Sequence, residues 1–173
     1  MEKIAIIGQQ CSGKTSAANF IASEFKSPYV LKFAQPIYNT IGALKQPKHR
    51  AFMQQFSDLA KKHFGPLIFT DIFLATAKEL ENEMFDVVLC DDMRFQQELD
   101  AARQTDFKII SIDAPASVRK KRAESLGLDF IENHNSETEV PSLIGQADYV
   151  IVDHGISMSE LKCQCQKALK ALV

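Results

Sequence analysis

Short apolar runs alternate with longer amphipathic stretches along this chain. Residues 4–7, 29–33, 86–90, 107–112 and 148–152 are rich in Ile, Val, Leu or Phe, and most are apolar on successive positions. A strand buried on both faces reads this way, as in a parallel sheet. Between these runs the helical period predicts helices over 14–25, 36–44, 49–64, 70–84, 95–104, 116–126 and 157–172. Strand and helix in alternation imply an α/β fold, a five-stranded parallel sheet with helices on both faces. Three of the helices fall in residues 34–85, between the second and third strands. A simple crossover needs only about a dozen residues, so this stretch is a helical insert, the kind of elaboration that carries specificity. Residues 127–145 hold few strand or helix signals. Their polar run Asn133, His134, Asn135, Ser136 and Glu137 suits a mobile flap.

Composition narrows the function classes. The 173 residues fit a single domain, 46% hydrophobic and 24% charged, an ordinary globular balance. A formal net charge of -2 argues against a stable nucleic-acid partner or an anionic membrane held by bulk electrostatics. No apolar stretch approaches the ~20 residues of a membrane span, and no secretory leader pattern is legible, so a cytoplasmic protein is expected. Cys11, Cys90, Cys163 and Cys165 are scattered. The last two point to different faces of one helix and make a poor metal pair, so reduced thiols fit best.

Gly8-Gln9-Gln10-Cys11-Ser12-Gly13-Lys14-Thr15 matches the phosphate-loop pattern G-x-x-x-x-G-K-[ST], between an apolar strand and an amphipathic helix as that pattern requires. Gly8 and Gly13 let the backbone approach a phosphate closely. Successive N–H groups then face it as an anion nest at the positive end of a helix. Lys14 reaches the outer phosphates of ATP, and the Thr15 hydroxyl is placed to ligate Mg²⁺. Gly8, Cys11, Ser12, Gly13, Lys14, Thr15 and Ser16 form the candidate nucleotide-binding set.

Other candidates sit at strand ends, where ligands bind in open α/β sheets. Asp91 and Asp92 close the third run, and either could serve the metal or cap the next helix. Arg94 offers a bidentate fork for a phosphate, or pairs with Glu98 one turn on. Arg119, Lys120, Lys121 and Arg122 are the densest basic cluster, with Arg119 and Arg122 on one helical face.

Four short strings carry a resemblance. Phe33-Ala34-Gln35-Pro36-Ile37 resembles the F-A-D-P-[LI] segment of bacteriophage deoxynucleoside monophosphate kinases. Asp91-Asp92-Met93-Arg94-Phe95 with Glu98 is similar to that family's D-V-R-F…E signature, and His134-Asn135-Ser136-Glu137 to its H-x-S-E string. Residues 147–155 resemble a closing turn shared with dephospho-CoA kinases. Gln35 stands where the family often has Asp, and Lys61 where it tends to have Arg. The resemblance implies a P-loop kinase fold whose insert (34–85) binds a nucleoside monophosphate and whose lid (115–145) closes over ATP. It implies ATP-dependent phosphorylation of a deoxynucleoside monophosphate (dNMP) with Mg²⁺, in the host cytoplasm if phage-encoded. It assigns catalysis to Lys14, Asp92, Arg94, Arg119 and Arg122, metal binding to Thr15 and Asp92, and acceptor binding to Phe33, Arg94, Glu98, His134 and Glu137. A homodimer is compatible with the sequence. A dephospho-CoA kinase is disfavoured because Lys32-Phe33-Ala34-Gln35 lacks the early carboxylate that a hydroxyl acceptor needs. A non-catalytic nucleotide switch is disfavoured because Ile112-Asp113-Ala114-Pro115 is not the N-K-x-D of a guanine switch.

Overall fold

In the computed structural model, which describes residues 1–47 and 49–173, five strands form one sheet. They are β1 (Glu2–Ile7), β2 (Pro28–Val30), β3 (Val87–Met93), β4 (Lys108–Asp113) and β5 (Tyr149–Val152). Their order is β2-β3-β1-β4-β5, every pairing parallel. The doubly buried runs account for this. Ile4, Ala5, Ile6 and Ile7 are all fully buried, so β1 needs cover on both faces and takes the centre. One face is covered by α1 (Lys14–Ala22) and α9 (Met158–Leu172), through Ala17, Ala18, Ile21, Leu161, Cys165 and Ala168. On the other, Phe73, Ala77, Leu99, Ala102, Val140 and Leu143 pack from α4 (Ile68–Glu79), α5 (Gln96–Gln104) and α8 (Val140–Ile144).

The insert consists of α2 (Gln35–Ala43), α3 (Arg50–Phe64) and α4, with a 3₁₀ turn over Leu80–Asn82. Its helices hold a small core of their own, Ile37, Ile41 and Phe69 with Met53, Phe56 and Ala60 packed on it. The α3 helix is capped by His49, which accepts from the Phe52 N–H, and stops at Gly65, whose φ of 102° suits glycine. The segment expected to form a lid (115–145) holds α6 (Ala116–Ser125), α7 (Asn135–Thr138) and α8. Residues 127–145 were expected to lack regular structure, and this is corrected: α7 and α8 occupy much of that stretch. Their order comes from long-range side-chain bonds that local pattern does not carry.

Strand ends differ from expectation, furthest at β2 and β3. The β2 strand is shorter, because the chain turns at Phe33 to enter the insert. The β3 strand is longer and runs through both aspartates. Its register against β1 jumps from Ala5↔Cys90 to Ile7↔Met93. That extra residue is a bulge, a feature that re-aims side chains at the edge of a sheet. Among the described residues no helix is long and apolar enough to cross a membrane.

Candidate active site

The loop after β1 is built to cradle an anion. Cys11 and Gly13 lie at φ 59° and 100°, the left-handed positions that curl successive N–H groups inward. A Cβ on Gly8 would stand 2.4 Å from Ser12 Oγ and 3.0 Å from the Ile112 carbonyl, so only glycine fits. Ser12 Oγ is buried without a hydrogen-bond partner among the described residues. Such an orphan under a phosphate loop fits a ligand oxygen. Lys14 Nζ folds over the rim to donate to the Gln9 carbonyl at 2.7 Å. Thr15 and Ser16 follow Lys14 in the first turn of α1, with Thr15 exposed and Ser16 half-buried. These residues fit a polyphosphate.

The neighbouring carboxylate is Asp91. Thr15 Oγ1 donates to Asp91 Oδ2 at 3.0 Å, and Lys32 Nζ pairs with Asp91 Oδ1. Asp92 faces away, which corrects its expected place beside Thr15. It accepts from the Phe33 and Ala34 N–H groups at 3.1 and 2.9 Å and so holds the turn between β2 and α2. The pleat explains the split. Val87, Leu89 and Asp91 share the α1 face, while Val88, Cys90 and Asp92 share the other. Asp92 retains some surface, but desolvation of its carboxyl raises its pKa above the usual range despite those two N–H bonds. For Lys32, burial opposes the charge, yet the hydrogen bond and charge of Asp91 outweigh it and raise its pKa.

Lys32 also lines a cavity of ≈ 310 Å³ with Gln35, Tyr38, Ile41, Gly42 and Gln46, within the usual range of small-ligand sites. Its Nζ lies 5.6 Å from the centroid of the Tyr38 ring. Lys61 of α3 sits 4.2 Å over the Phe95 ring, bringing a cation of the insert toward the Arg94 turn.

Four acceptor candidates take other roles. Phe33 is 2% exposed and stacks on Phe73 with centroids 3.9 Å apart. It is core and not open to a base. Glu98 is buried and accepts from the Arg94 and Phe95 N–H groups at 2.6 and 3.2 Å, capping α5. Burial first, and then the charge of Asp92, push its pKa up to about 8. His134 caps α7 by accepting from the Ser136 N–H, and its ring meets Ser136 Oγ at 2.9 Å. Glu137 is fully buried, with one oxygen on the Gln10 N–H at 2.7 Å and the other on Arg94 Nη1 at 2.5 Å. Arg94 therefore pairs with Glu137, and only its backbone meets Glu98.

The two lid arginines diverge, which corrects their shared approach to a phosphate. Arg119 is 4% exposed, donates from Nε to the Ala114 carbonyl, and lies 5.3 Å from the Phe130 ring centroid. It braces this segment from within. Arg122 pairs with both oxygens of buried Asp153 and donates to the Ser12 carbonyl at 3.3 Å. It ties the phosphate loop to the turn after β5, and three-residue spacing alone does not separate these fates. Sequence reasoning also missed Lys32, Gln9 and Gln10. Gln10 bridges the Asp129 carbonyl and the Ile131 N–H, and Gln9 donates to the Glu137 carbonyl. Amide side chains at the variable positions of a phosphate loop carry no local signal.

No protein-family model matches the sequence, and no curated protein matches it. Solved structures do. TT1252 from Thermus thermophilus is 19% identical with a TM-score of 0.64, covering 98% of this chain and 96% of that one. A gluconokinase from Sinorhizobium meliloti 1021 is 15% identical at 0.61, covering 99% and 93%. Shikimate kinase from Aquifex aeolicus vf5 is 15% identical at 0.57, covering 97% and 96%. Identities this low speak to fold alone, and the fold is that of the P-loop kinases.

Proposed function

We propose that the protein transfers the γ-phosphoryl group of ATP to a dNMP, with Mg²⁺. The observation that carries this reading is the Thr15–Asp91–Lys32 chain of contacts, which runs from the phosphate loop to the cavity under α2. Gly8, Ser12, Gly13 and Lys14 would hold the donor phosphates, and Thr15 and Asp91 the metal. Mg²⁺ neutralises charge between the outer phosphates when bound. Lys32 then faces the acceptor cavity from the donor side, and Arg94 offers the rest of its fork beyond Glu137, its side chain 19% exposed.

The carboxylates favour one acceptor class. Transfer to a hydroxyl wants a base to take its proton. Asp91 is held by Thr15 and Lys32, and Asp92 by two backbone N–H groups. A phosphate acceptor is already anionic and needs only orientation and cations. A cavity with a lysine, a tyrosine and two glutamines supports that acceptor over a hydroxyl. The resemblance of the β3 and β2 end strings to phage dNMP kinases supplies the deoxynucleoside. The test is ADP release with ATP, Mg²⁺ and a panel of four dNMPs, dephospho-CoA and shikimate. Turnover with at least one dNMP, lost in Lys14→Ala, is expected. Turnover with only the hydroxyl acceptors would overturn the acceptor.

A further inference from the structure

One buried carboxylate joins the two halves of this site. Glu137 is 0% exposed, on a helix of the lid, far in sequence from both of its partners. Its Oε2 takes the Gln10 N–H of the phosphate loop, and its Oε1 takes Arg94 Nη1 from the turn after β3. The surrounding bonds hold that bridge in place. Gln9 donates to the Glu137 carbonyl, Gln10 clasps residues 129 and 131, and the Ser136 carbonyl lies 3.5 Å from Arg94 Nη1. A carboxylate this buried is held by the groups that bond it, and removing one of them from such a network disturbs the rest. Here the carboxylate bonds Gln10, one residue before the anion nest.

We propose that Glu137 is a positioning residue that couples the donor loop to the acceptor arginine. Through it the state of Arg94 is felt by the nucleotide, and the state of the loop by Arg94. The coupling is reciprocal, as linkage requires. This rests on the phosphate loop binding nucleotide, as proposed above, but not on which acceptor is used.

A double-mutant cycle on nucleotide affinity tests it, with the non-hydrolysable analogue AMPPNP and Mg²⁺ as probe in calorimetry. In the otherwise native chain, Arg94→Ala removes the guanidinium that holds Glu137 Oε1 and is expected to weaken AMPPNP binding roughly tenfold, within the span of coupled sites. In a Glu137→Gln background the same Arg94→Ala step is expected to change affinity by less than about twofold, since neighbours in one network are not additive. An equal or larger effect in that background would overturn the coupling. If Glu137→Gln does not fold, Arg94→Lys and Arg94→Met replace it. Affinity kept in the lysine variant and lost in the methionine variant supports the bridge, and equal affinity in both overturns it. A non-additive cycle alongside no turnover on any dNMP would remove the acceptor assignment and leave the coupling standing.

Discussion

Two adjacent aspartates on β3 do different work because a strand sends successive side chains to opposite faces. Asp91 meets Thr15, and Asp92 meets the N–H groups of Phe33 and Ala34. Motif register placed Asp92 at the metal, whereas the pleat was legible in the same residues. Thr15 belongs to the helix that covers Val87 and Leu89, and Asp91 is next on that face. Asp91→Asn is expected to cut kcat by about 10²-fold, the order of losing one charged group from a preorganised site, and to lower the melting temperature too, because Lys32 loses its carboxylate. Asp92→Asn is expected to leave kcat within a few-fold and lower stability by about 1–3 kcal/mol, the cost of disturbing a buried hydrogen-bonded group. Steady-state kinetics with urea melts on both variants check this, and the reverse pattern in kcat would return the metal to Asp92. Phe33 was misread for a related reason. A motif aromatic at a strand end reads as a stacking platform, but the Asp92 bonds turn its backbone inward onto Phe73.

At the scale of elements, the helices that stand on the core were legible from their period. The lid was not. Its order depends on Gln9 and Gln10, which reach across 128 and 119 residues, and on Arg94 and Asp153, which bond it across 43 and 31. No window of sequence displays such bonds. The start of α5 was half legible. Glu98 does sit one turn past Arg94, but its carboxyl serves the backbone N–H groups while the guanidinium goes to Glu137. Burial, then the charge of Asp92, lift Glu98 from 4.5 to about 8. The folded state then holds a proton that the unfolded chain has released, so stability falls as pH rises from about 4.5 to about 8. Glu98→Gln keeps an acceptor for the cap and removes this titration. Its melting temperature is expected to decline less steeply than that of the native chain between about pH 5 and pH 8. Parallel declines would show that Glu98 is ionised throughout.

At the scale of the whole molecule, the fold followed from β1. Four consecutive buried residues demand two covered faces, and the connections between strands supply the helices. The phosphate loop was legible too, because its glycines, lysine and hydroxyl must stand in fixed order for the backbone to close on an anion. The proposed acceptor half rests, in the sequence, on resemblance alone. Its cavity is lined by Lys32, Gln35, Tyr38 and Gln46, residues whose convergence depends on how α2 docks beside β2. The most direct measurement of the central claim is ³¹P NMR of the protein with ATP, Mg²⁺ and each dNMP in turn. The expected result is that the γ-phosphorus of ATP disappears as the β-phosphorus resonance of a deoxynucleoside diphosphate grows with it, for at least one base. Release of inorganic phosphate alone, with every dNMP unchanged, would contradict it.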